Sequence, residues 1–185
     1  MLAAAQELPG CLMLNMANET TPGGYPNLTG AQEEDLFRRS NLHKYLTSDM
    51  YPIKDNNVLI SNNVEIYLTG LRNGYKELDN PMYIDIISCP GIKNKNVGIY
   101  LDPVDARRLR VKLHTLFQAA YENGYKDLVL SALGCGGFRC PPEHVSAIFK
   151  ELLQIYDGCF DNVWFCIYDQ NYEKCNYRVF KRAFT

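Results

Sequence analysis

The chain has 185 residues, 46 % hydrophobic and 22 % charged, with a formal net charge of -2. That length predicts one domain with a sizeable core, spanning residues 1–185, and the ordinary composition argues against a disordered or fibrous chain. The charge excludes the broad basic footprint of a nucleic-acid binder, so no direct nucleic-acid partner is expected.

In chain order, the opening MLAAAQELPG has only a short apolar stretch, no basic start and one acid, Glu7, so it reads as neither signal peptide nor membrane span. We expect an intracellular protein, cytoplasmic or nuclear, with no membrane partner. CLMLNMAN (11–18) predicts a buried strand whose end opens onto a loop through Pro22, Gly23 and Gly24. From Ala31 the pattern becomes helical, with Leu36, Phe37, Leu42, Tyr45 and Leu46 able to share a face. NVLI (57–60) and VEIYL (64–68) read as two strands paired across a Ser61-Asn62-Asn63 turn, and MYIDIIS (82–88) as a third strand stopped by Pro90-Gly91.

Asp102-Pro103 then opens a long helix with Asp102 as N-cap, and Gly124 closes it. Arg108 to Lys112 read as the solvated face of that helix. The strand DLVLSA (127–132) leads into the loop LGCGGFRC, a helix runs from Pro141-Pro142 to about Tyr156, NVWFCIYD (162–169) is a last strand, and NYRVFKRAF a short amphipathic helix. Strands alternating with helices, two of the strands fully apolar, predict an α/β fold with a mixed sheet between helices. Seven cysteines without a C-x-x-C pair and three scattered histidines predict reduced, mostly buried thiols and no metal site.

Two glycine-bearing loops leave strand ends where ligands of open α/β sheets bind. The first runs from Asn15 and Asn18 into Gly23-Gly24; the second is Gly134-Cys135-Gly136-Gly137-Phe138. Glycines admit a phosphate to backbone N–H groups, so the two loops together make a plausible diphosphate cradle, although either glycine cluster alone is equally well a turn. Between them stand Gln32, Glu33 and Glu34, adjacent acids at a helix start. Such acids commonly do no more than favour the first helical turn, or else they carry chemistry.

The series N…PGG with QEE downstream, LVLSALGCGGFRCPPE and the terminal IYDQN…NYRVFKRAF resembles the microbial type of poly(ADP-ribose) glycohydrolase, over most of the chain from about Cys11. The resemblance implies a macrodomain-like three-layer fold, shortened at the N-terminus, and hydrolysis of the O-glycosidic ribose–ribose bond of poly(ADP-ribose) without a cofactor. Its ligands would be ADP-ribose or the polymer, free or attached to protein; a partner covering a sheet edge near the shortened front is also expected.

The resemblance assigns proton transfer to Glu34 and ribose positioning to Glu33, with Phe138 stacking on ribose or adenine; Phe138 could equally plug the core. Asn15 and Asn18 would bind ribose or phosphate, or merely cap the strand end. Two acids side by side cannot straddle a sugar as a conventional glycosidase pair does, so they must divide the work from one side. The family's third glycine is here Tyr25. A module that binds ADP-ribose or a related nucleotide without cleaving it is therefore the second reading.

Overall fold

The computed structural model of the chain describes residues 1–23, 30–96, 98–169 and 176–185. A helix α1 (Leu2–Glu7) leads to strand β1 (Leu12–Ala17), followed by α2 (Gln32–Arg39), β2 (Leu59–Leu68), β3 (Glu77–Pro90), α3 (Pro103–Glu122), β4 (Asp127–Leu130), α4 (Pro142–Ile155), β5 (Asn162–Phe165) and α5 (Asn176–Phe184). The five strands form one mixed sheet in the order β2-β3-β1-β4-β5. Only β2 runs antiparallel to its neighbour; β3, β1, β4 and β5 are parallel. The edges are β2 and β5, and β1 lies inside the sheet.

Period-two alternation sorts the apolar residues onto two faces. Leu12, Leu14, Ile87, Cys89, Leu128 and Leu130 pack with α3, α4 and Phe180 of α5. Met13, Ile84, Ile86 and Val129 pack on the opposite face with α1 and α2. The result is a three-layer α/β arrangement with both sheet faces covered, as parallel strands with near-continuous apolar runs require. On the α3 face, Phe117 stacks on Tyr156 at 5.4 Å and meets Phe149 edge-on at 6.3 Å, which ties α3 to α4.

Asp102 caps α3 as the sequence predicts, accepting the N–H groups of Val104 and Asp105, with Pro103 in the first turn. The expected hairpin over 57–68 is not formed. Residues 59–68 are one strand that pairs with β3, and its register shifts between Ser61 and Val64. Asn63 takes a left-handed φ of 56° and gives its N–H to Asp85 at 2.6 Å, so the Asn-Asn pair bulges the strand rather than reversing it. The amphipathic run after Ala31 is also shorter than predicted: Ser40 ends α2, its hydroxyl donating to Leu36 O at 2.6 Å and accepting from Leu42 N–H at 3.2 Å, and a single 3-10 turn carries Leu42. The six described cysteines are free thiols, four of them buried. Among the described residues no helix is long and apolar enough to cross a membrane.

Candidate active site

The parallel strands β3, β1 and β4 end side by side, with Ala17 opposite Pro90 in register. Three loops therefore leave the same end of the sheet: 18–23, 91–96 and 134–138. The sequence pointed to the first and third. The 91–96 loop gave only a stop signal in Pro90-Gly91, yet it is laced to the third: the Asn94 side-chain amide donates to Arg139 O and Asn96 O, and its backbone N–H donates to Phe138 O at 2.9 Å. Gly91 lies against Gly134 so closely that a Cβ there would stand 3.1 Å from Gly134 Cα and 3.3 Å from the Phe138 ring. Phe138 is thus partly buried on the 91–96 loop.

The acid pair is seated by the first turn of α2. Gln32 reaches into the sheet: its amide donates to Leu14 O at 2.9 Å and accepts Met16 N–H at 2.7 Å. The β1–β4 pairing covers only Leu12 and Met13, so this side-chain amide takes over the ladder on that side of β1 where the neighbouring strand leaves off. Glu33 then falls onto the α2 face of β1. Its Oε1 accepts from Asn15 Nδ2 at 3.2 Å and its Oε2 from Asn18 N–H at 2.8 Å. Asn15 also donates to Ser88 Oγ at 3.0 Å, on β3. Glu34 Oε2 accepts Gly30 N–H at 2.8 Å, closing the turn that enters the helix.

Acids that only favour a helix start stand in water, whereas Glu33 and Glu34 are 3 % and 4 % exposed. Burial pushes the Glu33 carboxyl above its ordinary range. The N–H groups of Asn18 and Gly23 and the Asn15 amide hold it back, and the adjacent Glu34 adds a smaller push upward. Between the ordinary value and this raised one the folded protein binds more protons than the unfolded chain, so this group's contribution to stability falls as pH rises through that window. Glu33→Gln removes the titration: urea unfolding at a series of pH values should show the variant gaining on wild type across the window and holding level above it. A difference independent of pH would place an ordinary carboxylate at Glu33.

Among the described residues three buried side-chain polar atoms have no partner, Asn15 Oδ1, Arg38 Nη2 and the hydroxyl of Tyr51. The Tyr51 phenol is pushed well above its usual range by burial and, secondarily, by the charge of Glu33, which places it in the acid pair's electrostatic neighbourhood. No sequence signal pointed to Tyr51. The Asn18 side chain does what a strand-end cap does, accepting from Thr20 N–H, Thr20 Oγ1 and Thr21 N–H, so Asn18 contributes its backbone to the acid pair.

Gly23 needs its glycine: φ is +71° and a Cβ would collide with the Phe37 ring. In the second loop the left-handed residue is Gly134, φ +78°, where a Cβ would stand 2.9 Å from Cys140 Sγ; Gly136 and Gly137 are exposed, and a Cβ on either would meet none of the described residues within 4 Å. The Cys135 thiol is buried and points back at Leu133 O, 3.9 Å, and its backbone N–H is held by Ala132 O at 3.1 Å. Gly24 and Tyr25 lie outside the described residues. Arg108 to Lys112 do not form a solvated face: Lys112 is fully buried and ion-paired, and Arg108 holds Asp55 through two bonds of 2.7 and 3.0 Å.

Three loops around an acid-bearing helix start, at the carboxyl ends of a mixed sheet covered on both faces, define a macrodomain-like α/β protein. Residues 1–70 match the family model of the microbial-type poly(ADP-ribose) glycohydrolase (PARG) catalytic domain. Among solved structures, the Deinococcus radiodurans PARG in complex with ADP-ribose is similar with a TM-score of 0.84 at 28 % identity, over 98 % of this chain and 79 % of that one. The Thermomonospora curvata PARG bound to the inhibitor ADP-HPD is similar with a TM-score of 0.83 at 26 % identity, over 98 % of this chain and 75 % of that one. A search of curated proteins gave no match. The resemblance to microbial-type PARG thus holds in fold along nearly the whole chain and in family sequence pattern along its first 70 residues.

Proposed function

We propose that the chain is an ADP-ribosyl glycohydrolase that cleaves the ribose–ribose bond of poly(ADP-ribose) and releases ADP-ribose, with residues 1–185 working as one domain. The observation that carries this reading is the buried acid pair, anchored to β1 through Gln32 and Asn15 at the loop-lined end of the sheet. Solved relatives in complex with ADP-ribose and with ADP-HPD support the ligand class.

In this reading Glu33, its carboxylate already oriented by Asn15 and Asn18, holds the ribose hydroxyls. Glu34 gives its proton to the leaving ribose oxygen as the C1–O bond breaks, C1 passes through an oxocarbenium-like state, and water adds to C1 while returning a proton to Glu34. Gly136 and Gly137, next to the buried Cys135, offer a surface without side chains for the diphosphate. Gly23 shapes the first loop, and Phe138, half-buried beside the second, is assigned the stacking on the nucleotide in this reading.

Wild-type protein incubated with poly(ADP-ribose) should release free ADP-ribose. ADP-ribose at a hundredfold excess over Kd should stabilise the fold by about 2.7 kcal/mol, visible as a raised Tm. No shift at millimolar ADP-ribose would overturn the ligand class; a shift without cleavage would favour the binding module, the reading to which Tyr25 in place of the family glycine points.

A further inference from the structure

We propose that Lys112 and Glu19 are positioning residues for the acid pair, clamping the loop that follows β1 from the side opposite Glu33; this rests on the hydrolase reading above. Beyond the end of β1 at Ala17, two consecutive residues tie the chain to opposite layers. Asn18 gives its N–H to Glu33 on the α2 side. Glu19 sends its carboxylate to α3 on the other side, where Oε1 meets Lys112 Nζ and Arg108, each at 3.3 Å. Lys112 Nζ also meets Asp55 at 2.9 Å, and Glu19 O accepts Ile53 N–H at 2.9 Å, so the segment around residues 53–55 closes the clamp.

Lys112 is 0 % exposed, and a buried ammonium is tolerated only when paired. An apolar residue of the same length would serve the core as well, because desolvation offsets most of a buried ion pair's attraction. What the charge supplies is geometry: a fixed point on a twenty-residue helix against which the Asn18 N–H, and through it the Glu33 carboxylate, is set. A loop free to shift by about 1 Å can cost on the order of a hundredfold in rate, so a partial loosening should be read in turnover before it is read in stability.

The variants are Glu19→Gln and Lys112→Met, with Glu151→Gln as control. Glu151 pairs with Arg110 of the same helix at 2.8 Å and is as exposed as Glu19, 48 % against 41 %, but touches no site loop. We expect Glu19→Gln to keep the wild-type Tm within a few degrees while kcat on poly(ADP-ribose) falls about tenfold and KM moves less. Lys112→Met should fall in the same direction, and Glu151→Gln should match wild type. The Asn18 amide, read by hydrogen-exchange NMR, should lose protection in Glu19→Gln and keep it in Glu151→Gln. A folded Glu19→Gln with wild-type Asn18 protection overturns the clamp whether or not the wild type cleaves; a wild type that does not cleave overturns the hydrolase reading alone. Equal loss of kcat in Glu19→Gln and Glu151→Gln would reduce Glu19 to one surface charge among others.

Discussion

Glu34→Gln should lower ADP-ribose release from poly(ADP-ribose) by about 10² to 10⁴, the usual contribution of a positioned general acid, while ADP-ribose affinity stays near that of wild type. The amide keeps the volume of a side chain only 4 % exposed, and its carbonyl can still accept the Gly30 N–H that Glu34 accepts at 2.8 Å. What it lacks is a transferable proton. Glu33→Gln is a different perturbation. Donors that include the Asn15 amide and the Asn18 N–H face both Glu33 oxygens, so an NH₂ placed there confronts one of them. Its effect should therefore appear in ADP-ribose affinity as well as in turnover. A Glu34→Gln protein that cleaves at the wild-type rate would remove Glu34 from the chemistry.

Gly136→Val should weaken ADP-ribose binding at least about tenfold, or roughly 1.4 kcal/mol, with little change in Tm. Among the described residues nothing lies within 4 Å of a Cβ at Gly136, so the substitution should be felt mainly by what approaches from outside. The paired variant is Gly134→Val. There the left-handed backbone and the Cys140 sulfur at 2.9 Å make the same side chain a folding problem, and Tm should fall. Calorimetric titration and melting of the two proteins separate ligand approach from loop construction. Wild-type affinity in a folded Gly136→Val would move the diphosphate elsewhere.

Much of the frame could be read from local signals. Asp102-Pro103 and Gly124 bracket α3 as caps and stops do, and the apolar runs at 11–14 and 128–130 announced strands covered on both faces. The acids stood out because adjacent charges at a helix start, between two glycine loops, resemble a family pattern. What escaped depends on partners remote in sequence. Lys112 reads as solvated until Asp55 and Glu19 arrive 57 and 93 residues away to pair it. Asn63 reads as a turn until Asp85 takes its N–H within a ladder to β3. Gly136 and Gly134 look alike in a glycine loop, and only the packing of Cys140 and Gly91 tells which must turn left-handed.

The side-chain amide of Gln32 has a consequence for how the molecule opens. Because it holds Leu14 O and Met16 N–H in place of a neighbouring strand, the edge of β1 that faces away from β3 keeps its protection there only while α2 stays docked. Breathing of that helix and opening of that strand edge become one event, and the smallest unit that opens includes the acid pair together with the strand edge beneath it. The acid pair and the edge of β1 that Gln32 holds therefore loosen together, while the pairing of β1 with β3 stays in place.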